Sequence, residues 1–175
     1  MLLVLWLACA EPPEPQPSAP PTPPVAGDGA QRGSHLALRT DMLVALRESL
    51  GAAYDAPPAG LDKADPAAGE AVYKAHCLGC HGDSGRGGPD AQQLDPRPTD
   101  LSHPGKASFF SDAARLEIIR KGFTGSAMQG YAVGQGAGVD LSEAQILDVY
   151  AYVLSLKRAA QPGREVRERP EDVPR

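Results

Sequence analysis

The chain has 175 residues, of which 19 are Gly and 18 are Pro, with aromatics at only 5%. That is too little apolar bulk for one core running the whole length, so part of the chain is expected to be linker or tail. Seventeen basic residues against 22 acidic, a net charge of −5, argue against a nucleic-acid partner, and no run of about 18 apolar residues occurs that would mark a polytopic membrane protein.

In chain order, residues 1–9 open with the apolar run Met1 to Ala8 and end at Cys9. This reads as the back half of a secretory signal. It resembles a bacterial lipoprotein, whose first mature residue is a lipid-bearing Cys. The alternative is a signal, cleaved or retained, without lipid. Residues 10–33 are Pro-rich from Glu11 to Pro24; such a segment favours polyproline II and could extend over ~70 Å as a tether. Residues 34–64 are expected to form an extension packed on the main domain. It would hold a helix from Ser34 to Leu50, with Leu36, Leu43, Leu46 and Leu50 at helical spacings, stopped by Gly51 and followed by a loop.

The main unit is predicted over 65–157. Asp65-Pro66 is an N-cap followed by Pro at the first helical position. A shorter helix is expected from Ser111 or Asp112 to Lys121, with Leu116, Ile119 and Phe123 facing inward. Ser142 and Gln145 form a capping box, with Leu141 and Ile146 as its hydrophobic staple, and a last helix follows to about Leu156. No period-2 alternation is sustained, so the fold class is all-α. Residues 158–175 are charged and almost free of apolar side chains, and are expected to be a disordered tail.

Cys77-Leu78-Gly79-Cys80-His81 is the C-x-x-C-H pattern of c-type haem attachment. Two thiols one helical turn apart add across two haem vinyl groups, and the adjacent imidazole then meets the iron. A zinc site would need two further ligands from His76, His103 or scattered acids. A thioredoxin-like redox pair would need a βαβ setting, which is absent. An export signal favours haem.

With that motif in place, residues 65–157 resemble a class I cytochrome c, closest to the short bacterial domains of the cytochrome oxidase subunit III type. Gly69 and Tyr73 stand where the family has a small residue and an aromatic on the N-terminal helix, and Asp148-Val-Tyr-Ala-Tyr152 matches its last helix. The resemblance implies a cytochrome c fold of three to five helices around one covalently attached haem c, with crossed N- and C-terminal helices meeting near Gly69. It implies that the Pro89 carbonyl, in Gly88-Pro89, accepts a hydrogen bond from His81. It also implies that Met128, in Gly125-Ser126-Ala127-Met128-Gln129, is the sixth iron ligand beside His81. Gln129 stands where the family usually has Pro. Met128 is the one methionine inside the domain. His103 is a rival distal ligand, giving a bis-histidine haem of lower potential. His76 is expected to face solvent or a propionate, and His35 to be ordinary surface. Arg86, Arg97 and Lys106 lie in the loop where relatives hold the propionates.

The function implied is one-electron transfer by an exported monohaem cytochrome, not an enzyme in itself. It would sit on the periplasmic side of a bacterial membrane, lipid-anchored at Cys9, and serve redox partner proteins of a respiratory chain. The alternatives are a subunit of a larger respiratory or dehydrogenase complex, or a ligand sensor with a labile Met128. Eleven acidic against eight basic residues in 65–157 leave no lysine ring with which to meet a strongly acidic partner.

Overall fold

The computed structural model describes residues 28–103, 105 and 109–160. The signal-like segment with Cys9, the proline run to Pro24, Lys106 and the tail beyond 160 lie outside the described residues. Five α-helices and three 3₁₀ turns follow in order, and no strand occurs among the described residues, only isolated bridges. The all-α fold expected from the sequence is the fold observed.

Helix α1 (Asp28–Leu50) begins six residues earlier than its apolar spacing predicts. Ala30, Gln31 and Arg32 are good helix formers and Asp28 suits a helix start, so the helix extends into the stretch expected to be linker. It ends at Leu50, and Gly51 follows with φ +52°, a left-handed conformation that glycine adopts without strain. A 3₁₀ turn (Gly51–Tyr54) then buries Tyr54.

Helix α2 (Pro66–His76) is capped by Asp65, whose Oδ1 accepts from the Ala67 N–H at 2.8 Å. The short α3 (Leu78–His81) carries the thiol–imidazole motif. Helix α4 (Asp112–Lys121) is capped by Ser111, and α5 (Glu143–Ala159) by the reciprocal Ser142–Gln145 box. Helix α5 runs three residues past the predicted end at Leu156, to Ala159, so Arg158 and Ala159, expected in a disordered tail, are helical.

The crossing of α2 and α5 organises the molecule. A Cβ at Gly69 would lie 1.9 Å from the Asp148 carbonyl oxygen and 2.8 Å from the Val149 nitrogen, so only glycine lets these backbones approach. Asp148 Oδ1 also accepts from the Asp65 N–H at 2.7 Å, and the Tyr73 and Tyr152 rings pack 5.1 Å apart. Around the crossing lies the main core of Leu116, Leu141, Ile146 and Tyr150. Leu141 and Ile146 enter it together, as the staple requires.

A second core of Leu46, Tyr54 and Ala114 joins α1 to α4, with Met42, Leu43, Leu50, Phe110 and Ile118 packed around it. The extension is thus built onto the domain. Leu36, expected on the buried stripe, is 59% exposed; the inward face at that end of α1 is taken by other side chains.

Candidate haem site

The motif residues sit where two short structures meet. Helix α2 ends at His76, and the Cys77 N–H donates to the Tyr73 carbonyl at 2.8 Å. The Tyr73 hydroxyl, at 1% residue exposure, donates to the Gly82 carbonyl at 2.7 Å, so one buried side chain braces both ends of the motif. The following loop folds back on it: Gly87 N–H donates to the His81 carbonyl (2.9 Å) and Gly88 N–H to the Cys80 carbonyl (3.0 Å). A Cβ at Gly88 would fall 2.0 Å from the Gly79 carbonyl oxygen, so that close return needs glycine.

Met128 lies in a loop fixed by its own hydrogen bonds. Phe123 N–H donates to the Met128 carbonyl (2.9 Å), Met128 N–H to Ser126 Oγ (3.1 Å), and the Ser126 hydroxyl to the Phe123 carbonyl (2.8 Å). An antiparallel bridge between Gly122 and Gln129 closes the loop. The constraint comes from these bonds rather than from a proline after the methionine.

Cys77, Cys80, His81 and Met128 all line one cavity of ≈ 430 Å³, walled by apolar side chains that include Leu94, Leu101, Phe110, Ile118 and Phe123. The size and apolar lining are those of a small-molecule or cofactor site. Cys77 and Cys80 are not joined to each other in a disulfide. Burial, and then the neighbouring Cys80, push the Cys77 thiol up to about 11, so it is protonated and uncharged at neutral pH. Burial depresses the pKa of His81, with the Thr99 backbone opposing. The imidazole is therefore neutral, the form that binds a metal.

These residues fit a haem. The His81 Nδ1 is buried with no hydrogen-bond partner, a cost the fold accepts at a site that a bound group completes. Among the described residues, no group of three or more His, Cys, Asp or Glu side chains is placed to hold a metal ion, which leaves the zinc reading without its further ligands.

Two expectations need correcting. Pro89 is exposed, opens a 3₁₀ turn (Pro89–Gln93) and does not line the cavity. The backbone group that the His81 ring hydrogen-bonds is that of Thr99, so the His81–Pro89 hydrogen bond implied by the resemblance is not made in this structure. The tight return at Gly88 carries the chain past Gly79 and outward, with Asp90 lying over Gly79. Nor is His35 ordinary surface: it lines the cavity together with Leu38 and Arg39 of α1.

The rival distal ligand His103 is exposed and absent from the cavity wall. His76 does reach the wall, its ring 6.3 Å from that of Tyr131. Of the cations expected near propionates, Arg97 lines the cavity, whereas Arg86 donates to Ser102 Oγ at 3.2 Å and stands outside it. Tyr131 and Ile118 are wall residues that the sequence reasoning missed. Tyr131 lies three residues past Met128 and Ile118 beside the expected Ile119, so the signal was present.

Neither the comparison with curated proteins nor that with solved structures gave a match. The family model described as cytochrome c matches residues 66–157, more than half of the chain, and begins at the first residue of α2. The match spans both crossed helices and every member of the thiol, imidazole and thioether set. The chain belongs to the cytochrome c family, electron-transfer haem proteins with covalently attached haem c.

Proposed function

We propose that the protein is a monohaem one-electron carrier whose haem would be held covalently by Cys77 and Cys80, with His81 and Met128 as the ligands of its iron. The observation that carries this reading is the convergence of these four side chains on one apolar cavity. When bound, the haem supplies an iron that exchanges one electron. The chain's own residues do the rest. His81 offers a neutral imidazole, because burial disfavours its protonated form. The bonds at Ser126 and Phe123 hold Met128, and a thioether ligand raises the potential relative to a second imidazole. Phe110, Ile118 and Phe123 give the cavity an apolar wall.

With His81 and Met128 both holding the iron, a bound haem would offer no open position to a substrate, which supports reading the protein as an electron carrier. Export and anchoring at Cys9, with residues 10–27 as tether, are supported by the apolar run before Cys9 and the proline content after it. No helix among the described residues is long and apolar enough to cross a membrane. Mass spectrometry of the native N-terminus is expected to find a diacylglyceryl Cys9; a first residue elsewhere overturns the anchor and leaves the haem reading intact.

The ligand set is tested by spectroscopy. In a denaturing gel the full chain should keep its haem stain after acid–acetone extraction, and Cys77→Ala/Cys80→Ala should lose it. Met128→Ala should abolish the weak ferric charge-transfer band at the red end of the spectrum and admit carbon monoxide to the ferrous iron. If that band is missing from the unmodified protein and His103→Ala alters the spectrum instead, the axial pair is bis-histidine.

A further inference from the structure

Helix α1 lies wholly upstream of the family-matched segment, which begins at residue 66. Yet His35, Leu38 and Arg39 line the cavity, spaced three and four apart so that they share one helix face. That face touches loops on both sides of the cavity. His35 Nε2 lies 3.2 Å from Asp95 Oδ1, in the loop leading to Thr99. Leu38 packs on the Met128 loop, its Cδ2 2.8 Å from where a Cβ on Gly125 would stand. Further along α1, Leu46 anchors the helix through Tyr54 and Ala114.

Arg39 is the cation on this face. Its guanidinium carbon lies 4.1 Å from the Phe109 ring centroid and 5.9 Å from that of Phe110. Desolvation by burial lowers its pKa, so the fold holds a cation against an apolar wall at some cost. The cofactor of this family is an apolar macrocycle bearing two carboxylates. A stacked guanidinium facing an apolar cavity complements such a group, because it offers a planar, charge-assisted pair of donors to a carboxylate.

We propose that α1 is a wall of the haem site and that Arg39 is a positioning residue whose guanidinium pairs with a haem propionate. The proposal rests on the covalent haem and not on the identity of the sixth ligand. The other ionisable groups facing the cavity, besides His81 and the two thiols, are His35, His76, Arg97, Asp100, Arg115 and Tyr131. Arg97 is exposed, whereas Arg39 is half-buried against the Phe109 and Phe110 rings.

The test is redox potentiometry of the full-length holoprotein across pH, for Arg39→Gln, Arg39→Lys and Arg97→Gln. A guanidinium beside a carboxylate holds its pKa down by about 1–3 pH units. In Arg39→Gln the propionate-linked inflection of the potential should therefore move up by that amount, and the potential at pH 7 should fall as a cation is lost. Arg39→Lys, which keeps the charge, should move the inflection less than half as far, and Arg97→Gln should leave it in place. The proposal is overturned if Arg39→Gln titrates like the unmodified protein, if both Arg39 variants shift equally, or if Arg97→Gln alone carries the shift. The haem stain and the ferric band are read on the same samples, so loss of haem attachment or of Met128 ligation is seen separately from an inert Arg39.

Discussion

Glu117 shows how a single side chain in α4 is held charged. Burial alone would raise its pKa, but Lys121 at 2.6 Å and Arg120 at 3.2 Å outweigh that and bring it below the ordinary carboxylate value. Arg120 also donates from Nε to Glu143 Oε2 at 3.1 Å, which links α4 to the start of α5. A carboxylate whose folded pKa is depressed contributes stability that is complete above its unfolded pKa and is lost as pH falls through the folded one. An unperturbed glutamate titrates at 4.5, so this contribution should fade below that pH. Glu117→Gln is expected to cost about 1 kcal/mol at pH 7 and to flatten the acid limb of a stability–pH profile. Urea melts at several pH values check it; a parallel downward offset with an unchanged acid limb would show that Glu117 acts by packing alone.

Among the elements, the α2–α5 crossing is the least forgiving. Gly69→Ala places a methyl inside the α5 backbone, and the helices must separate. Overpacking costs typically ~1–3 kcal/mol, and this substitution is expected at or above the top of that range. Leu46→Ala acts differently: it leaves a hole between α1, Tyr54 and Ala114, at ~2–5 kcal/mol. Denaturant melts should record both losses. Hydrogen exchange should distinguish them, with Leu46→Ala raising exchange in α1 well before α2 or α5.

These elements also mark what the sequence made legible. The Asp65 and Ser142 caps, the Gly51 stop, and the motif at Cys77 to His81 depend on residues within five positions of one another, so local chemistry settles them. Gly69 was legible through family resemblance because its partner helix carries a recognisable pattern of its own. The cavity face of α1 was not. His35 meets Asp95 sixty residues on, and Arg39 meets Phe109 and Phe110 across a comparable gap. Apolar periodicity pointed to Leu36, and a charged residue in a wall leaves no trace in such a pattern. Pro89 failed for a related reason. The Gly-Pro pair is present, but the direction in which the chain leaves Gly88 depends on backbone contacts with Gly79.

For the whole molecule, the interior is divided. One core surrounds the α2–α5 crossing, a second ties α1 to α4, and the cavity adjoins the first through Tyr131 and the second through Phe110 and Ile118. A domain this small buries limited surface of its own, and a covalently held apolar cofactor adds to it. The Cys77→Ala/Cys80→Ala chain, unable to retain haem, is expected to unfold at a clearly lower urea concentration than the holoprotein, and a coincident melt would count against the haem as part of the core. Net charge acts at this scale too. With 22 acidic and 17 basic residues, association with a redox partner should not speed up at low salt when that partner is acidic, as stopped-flow rates would record.

The second core has a consequence for electrochemistry. It fastens α1 through only a few side chains, so α1 is the segment that local opening should release first. Release would let water and ions reach the cavity wall that α1 covers, and the iron's potential responds to its dielectric surroundings. Voltammetry in sub-denaturing urea would then register the detachment of α1 as a drift in voltage before any loss of helical signal. An electrode could thus follow one helix of this protein leaving its place while the rest stays folded.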